Sequence, residues 1–164
     1  MSDNVEMDQI NEDADQSFEF TVGRFLTYRL SRVQARMNAQ GARILQNAAG
    51  LSLIQWRIIT LVAGHDGATS TELTAVSAID KGLFSRKLKT LVLDGIIQAK
   101  VNPADNRVQH LFLTDKGREI HARVLPIMMR RQEVLREGLG PEKADQLFDL
   151  LVEVENILEN WTGP

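Results

Sequence analysis

The segment from Asp80 to Gly95 reads DKGLFSRKLKTLVLDG. It places four cations, Lys81, Arg86, Lys87 and Lys89, in a stretch whose apolar residues keep helical spacing. Phe84, Leu88, Leu91 and Val92 share one face, which predicts a helix anchored to a core along that side. Gly82, Arg86 and Lys89 fall broadly opposite, with Lys81 and Ser85 on a flank near the N-terminal end. These residue types suit a polyanion. A guanidinium pairs with guanine O6 and N7 in bidentate fashion, which makes Arg86 the candidate base reader. Ser85 can serve a base or a phosphate, and Lys81 and Lys89 suit phosphates. Gly82, without a side chain, admits close approach of a backbone. Further on, the stretch NPADNR offers Asp105 and Arg107. An arginine there can enter a narrow minor groove, where the negative potential is enhanced. The structural alternative for Arg107 is a surface pair with Asp105, worth about 0–1 kcal/mol. For the cations as a group, the alternative is a solvated helix face.

The whole chain has 164 residues and a formal net charge of −3, but the charge is segregated. Residues 1–19 carry seven acids and no base, whereas residues 20–67 carry six Arg and a single Asp. Residues 68–117 are again net basic and residues 118–164 net acidic. A basic middle is the surface a polyanion meets, whatever the overall balance.

Around these residues the periodicity predicts the elements that must hold them. Residues 1–16 are acidic and aperiodic, and are expected to be a disordered tail. Residues 17–50 contain a helix from Phe18 to about Ala48, with Leu26, Leu30, Val33 and Met37 in one stripe. Ser52 and Gln55 then form a capping box flanked by Leu51 and Trp56 at the staple positions, and Thr69 and Glu72 form a second box. Asp80 is the N-cap of the cationic helix, and Gly95 suits its left-handed close. After Gly95 the period changes to two. IIQAKV and VQHLFL read as strands joined by NPADNR as a hairpin loop. Thr114 caps a long helix that Pro126 should bend and that Gly138 and Gly140 break, and Pro141 opens a last helix to about Trp161. The expected fold is mainly α (α+β), with a helix–turn–helix and a two-stranded hairpin between terminal helices. This is the winged helix–turn–helix order, over residues 51–117. The last helix, within residues 118–164, carries Leu147, Leu150, Leu151, Val154 and Leu158 in one stripe. Apolar stripes near both chain ends point to a shared interface, and intramolecular packing is the alternative for part of them.

The stretches LIQWRIITLVA, DKGLFSRKLKTLVLDGII and NPADNRVQHLFLTDKG together resemble the MarR family of bacterial transcription regulators. The resemblance covers roughly Leu51 to Gly117 by motif and the rest by helix order. It rests on the Ser-Arg pair of the cationic helix, the Leu-x-x-x-Gly ending, the Asp-x-Arg wing and the Leu-Thr-x-x-Gly exit. The resemblance implies a homodimer built by the N- and C-terminal helices that binds pseudo-palindromic double-stranded DNA operators, as a repressor. It maps Ser85 and Arg86 onto the recognition-helix pair, and Asp105 and Arg107 onto the wing pair. It also implies a small aromatic or phenolic acid as effector, with Arg24, Tyr28, Arg32, Trp56 and His65, together with Met128 and Met129, as candidate pocket residues. The alternative for Arg24 and Arg32 is ordinary ion pairing. The chain departs from the family at Gln98, where a basic residue often stands.

Other functions find less support. His65, His110 and His121 lack metal-ligand spacing, no Cys exists to complete a zinc site, and there is neither a Gly-rich phosphate loop nor a nucleophile elbow. The chain is therefore expected not to be an enzyme and to need no cofactor. No apolar run approaches the roughly 20 residues of a membrane span, and nothing at the N-terminus looks like a signal peptide, so a cytoplasmic location without membrane partners is expected. The competing reading is a winged helix that serves only protein interactions.

Overall fold

The structure, a computed structural model, describes residues 22–163, with the side chains of Asn106 and Arg107 outside the description. The acidic 1–16 segment and the expected start of the first helix at Phe18 lie outside the described residues. Within them the elements are α1 (Leu26–Ala49), α2 (Leu53–Gly64), α3 (Ser70–Val76), α4 (Lys81–Leu93), β1 (Ile97–Asn102), β2 (Asp105–Leu113), α5 (Asp115–Leu139) and α6 (Pro141–Glu159). This is a winged helix–turn–helix between long helices. The chain divides into two compact units, with the division between Trp56 and Arg57, inside α2.

In the first unit α1 starts at Leu26, not within the preceding turn, where the Phe25 N–H donates to the Val22 carbonyl at 3.0 Å. The helix ends at Gly50, whose φ of +65° is the left-handed conformation a glycine adopts without steric cost. The Gly50 and Leu51 amides then return to the carbonyls of Gln46 and Leu45, satisfying acceptors the helix end leaves open. The Ser52 box forms as expected: the Gln55 amide donates to Ser52 Oγ at 3.3 Å and the Ser52 amide to Gln55 Oε1 at 3.0 Å. Both staple residues, Leu51 and Trp56, are buried.

The second unit is built on Ile58, Ile59, Val62, Leu73, Phe84, Leu91, Ile97, Leu111 and Val124, all essentially inaccessible. Strands β1 and β2 are antiparallel, with Ile97 opposite Leu113 and Ala99 opposite Leu111. The hairpin is tighter than its sequence suggests. Asp105 already pairs with Asn102, so the turn is Pro103–Ala104, and the register slips between Val101 and Asn102. Residues 106–108 therefore have no partner on β1, a bulge that twists the wing locally. The segment before α3 adds a third edge. The Gly67 amide donates to the Leu111 carbonyl and the Leu111 amide to the Ala68 carbonyl, both at 3.0 Å. The long helix α5 keeps Gly138 inside it and stops at Leu139, and Pro141 stands at the first turn of α6.

Candidate nucleic-acid interface

The turn into α4 is held at several points. The Glu72 carboxylate of the second capping box accepts from the Thr69 amide at 2.7 Å and from its hydroxyl at 2.9 Å, which holds that carboxyl below its usual range. Two residues past α3, Ala78 sits at φ +49°, a region that costs a residue with a Cβ about 1 kcal/mol. The Ser77 hydroxyl stabilises that bend. It donates to the Thr74 carbonyl at 3.0 Å and accepts the Ile79 amide at 3.1 Å. Asp80 then caps α4, its Oδ1 accepting from the Leu83 amide at 2.9 Å.

Phe84 and Leu91 bury one side of α4 completely, and Leu88 is half-buried beside them. The opposite side is open. Lys81, Gly82, Ser85, Arg86 and Lys89 are all exposed, so the five residues expected on the reading face share one solvent-facing surface. Spacing of four aligns Lys81, Ser85 and Lys89 in one row and Gly82 with Arg86 in the next. The guanidinium of Arg86 leans back over Gly82, where a Cβ would stand 3.3 Å from Arg86 Nη1 and 3.3 Å from Asp80 Oδ1. Val92 departs from expectation. It is exposed, because its position on the helix falls toward the cationic rows and not toward Phe84 and Leu91.

The end of α4 is stapled to the exit of the wing. Gly95 at φ +67° reverses the chain. Thr114 then acts twice. Its Oγ1 donates toward the carbonyls of Gly95 at 2.7 Å and Ile96 at 3.1 Å, and it accepts the Gly117 amide at 3.1 Å as the cap of α5. Lys116 Nζ reaches the Asp94 carbonyl at 2.7 Å. These contacts place positive charge and donors at the negative end of the helix dipole, where both stabilise. Gly117 is buried against the Ile96 carbonyl.

In the wing, Asp105 is exposed at the first position of β2 and not in a loop. The backbone of Arg107 lies two residues on, in the bulge, and its side chain is outside the description. At the base of the wing Lys100 is exposed, its ammonium 4.8 Å from the centroid of Phe112, while Gln98 is half-buried.

The effector candidates are placed separately. Arg24 precedes α1, so the helical four-residue spacing expected to align it with Tyr28 and Arg32 does not apply to it. Tyr28 and Arg32 do meet, the guanidinium carbon 5.7 Å from the ring centroid. Trp56 is buried. In the second unit, His65 is exposed and its Nδ1 donates to the Leu61 carbonyl at 3.1 Å. Met128 is half-buried and Met129 exposed. Sequence reasoning recognised Thr114 as a cap but missed its grip on α4, and it missed Lys116, His110 and Asn102. Of these only Thr114 left a signal, in the Leu-Thr-x-x-Gly pattern it shares with Gly117.

Comparison with known proteins agrees with this geometry. The profile of the MarR family matches residues 49–107, the span from the end of α1 through α4 and into the wing. Over that span the chain resembles the MarR family. The chain is 30% identical over 86 residues to the HTH-type transcriptional regulator PetP of Rhodobacter capsulatus, a match covering 52% of each chain. It is 30% identical to the solved transcriptional regulator PA4135, covering 81% of this chain and 97% of that one with a TM-score of 0.67. The transcriptional repressor CouR, solved on a 23-mer DNA duplex, is 28% identical, with 84% and 95% coverage and a TM-score of 0.74. The relatives and solved structures it resembles are transcriptional regulators.

Proposed function

We propose that the chain is a homodimeric repressor that grips a pseudo-palindromic operator with two copies of α4 and two wings. The observation that carries this reading is the exposed row of Lys81, Ser85, Arg86 and Lys89 on the face of α4 opposite Phe84 and Leu91. An interaction module needs no such cationic face. Arg86 reads a guanine edge, Ser85 a base or phosphate, and Lys81 and Lys89 hold phosphates, with Gly82 allowing close approach. Arg107 on the wing enters the minor groove beside Asp105. The likeness to a repressor solved on duplex DNA supports the reading. A titration of duplex DNA at two salt concentrations tests it, since phosphate contacts weaken steeply as salt rises. Arg86→Ala should lose about 1–3 kcal/mol of discrimination at one base pair, whereas Lys89→Ala should weaken all sequences alike and lower the salt slope by about one. Unchanged discrimination across a base-substitution panel rejects Arg86 as the reader. Absence of duplex binding even at low salt favours the interaction module.

Dimerisation is supported by the faces left open within each unit. Leu26 and Val33 of α1 are exposed, and α6 has no buried residue at all. A small aromatic or phenolic acid releases the operator, recognised by Tyr28 and Arg32, whose guanidinium suits a carboxylate, with Arg24, Trp56 and His65 as further candidates. Benzoate should raise the operator Kd of the wild-type protein, and Arg32→Ala should remove the response. An equal response in both would exclude Arg32.

A further inference from the structure

His110 lies in β2, and its imidazole joins two parts of the second unit that are far apart in sequence. Nδ1 is 2.6 Å from the Gly67 carbonyl, and Nε2 is 3.2 Å from Asn102 Nδ2. Asn102 in turn accepts the Ala104 amide on Oδ1 at 2.9 Å, across the turn at the tip of the wing. Both ends of this chain of bonds are fixed by backbone groups with one role each. The Ala104 N–H only donates, so the atom facing it is the Asn102 oxygen, and the atom facing His110 is the amide nitrogen. The Gly67 carbonyl only accepts, so the ring proton is on Nδ1. The ring must then be neutral, with Nε2 free to accept.

A second ring proton breaks this order. It sits on Nε2 and meets the Asn102 NH2, donor against donor. Asn102 can answer only by turning its oxygen to the ring, which presents NH2 to the Ala104 N–H and releases the turn. We propose that His110 is a positioning residue of the wing, whose protonation loosens the Pro103–Ala104 turn and with it the strand that carries Arg107. The consequence for DNA rests on the repressor reading; the switch in the turn does not. The titratable groups around the ring are Glu72 of α3, His65 and Asp66 of the preceding loop, which share a shallow depression of about 470 Å³ with it, and Lys100, its cross-strand partner on β1. Glu72 and Lys100 act on an imidazolium with opposite sign. Among the described residues, the hydrogen-bond partners of the ring nitrogens are the Gly67 carbonyl and the Asn102 amide.

The test uses the full-length protein without DNA, followed by NMR from about pH 8 to about pH 5, the interval in which imidazoles ordinarily titrate. The His110 ring should show the Nδ1–H tautomer at the alkaline end. The Ala104 amide shift should move with the same midpoint as the ring, and its exchange protection should fall as the ring gains its proton. An Nε2–H tautomer, or an Ala104 amide that ignores the ring, overturns the proposal. Operator titrations at constant ionic strength then read the consequence. The wild-type protein should lose roughly fivefold more affinity over this range than His110→Asn, the ratio one net hydrogen bond carries. Asn at 110 can still donate to Gly67 but has no proton to gain, so superimposable pH profiles also overturn the proposal. If no duplex binds at any pH, the repressor reading fails, and the ring and amide titrations still decide the switch.

Discussion

Gly117→Ala should destabilise the protein by about 3 kcal/mol, the upper part of the range for forcing atoms into a packed interior. The intrinsic preference runs the other way, since alanine in place of a helical glycine gains up to about 1 kcal/mol. The steric term wins because of what the new methyl meets. A Cβ at Gly117 stands 2.2 Å from the Ile96 carbonyl oxygen and 3.2 Å from its carbon. That carbonyl cannot retreat cheaply. It accepts the Thr114 amide at 3.1 Å and the Thr114 hydroxyl at 3.1 Å, so moving it opens the joint between α4, the wing and α5 together. Urea denaturation at fixed protein concentration reads the effect as a lower midpoint with an unchanged slope. A midpoint equal to or above that of the wild type would mean that this joint is not close-packed in solution.

The second large effect is expected on α6. Leu150 is 57% exposed and Leu158 65%, with Phe148 at 67%, and Ile157 and Trp161 are similarly open. Side chains of this size left in water forgo about 1.5–3 kcal/mol each. If two copies bury them together, the double variant Leu150→Glu, Leu158→Glu places two carboxylates in an apolar seam, at a cost of several kcal/mol. Sedimentation at micromolar concentration should then give the mass of one chain where the wild type gives two. Because both residues point away from their own unit, circular dichroism should stay the same. Operator affinity should fall by about 100-fold or more, since linked half-sites gain at least that factor from effective concentration. A variant that keeps the wild-type mass removes α6 from the interface.

Much of this architecture was legible because local rules wrote it. The capping pairs Ser52 with Gln55 and Thr69 with Glu72, the caps Asp80 and Thr114, and the turn at Gly95 all act within a few residues, and each stands where the sequence placed it. The exposed cationic face of α4 followed from the same periodicity, except at Val92, which lies at the border between the buried and open sides. The wing was harder. NPADNR has the composition of a long loop, yet one side chain, Asn102, closes a two-residue turn and lets Asp105 enter the strand. The expected first helix is interrupted at Gly23–Phe25, where the backbone turns, and the stripe of Leu26, Leu30, Val33 and Met37 lies wholly within α1. His110 carried no signal of its own, because its partner Gly67 is 43 residues away and is a backbone atom.

The bonds from Thr114 and Lys116 to the carbonyls of Asp94, Gly95 and Ile96 have a mechanical consequence. They tie the end of α4 to the first turn of α5, so a tilt of that turn is expected to carry α4 with it. With 25 residues, α5 is about 37 Å long at 1.5 Å per residue. A tilt about its far end displaces the tied end by about 0.6 Å for each degree. Pivoting by a few degrees near α6 is therefore enough to carry the cationic row a base-pair step out of alignment, with no change in its own internal geometry.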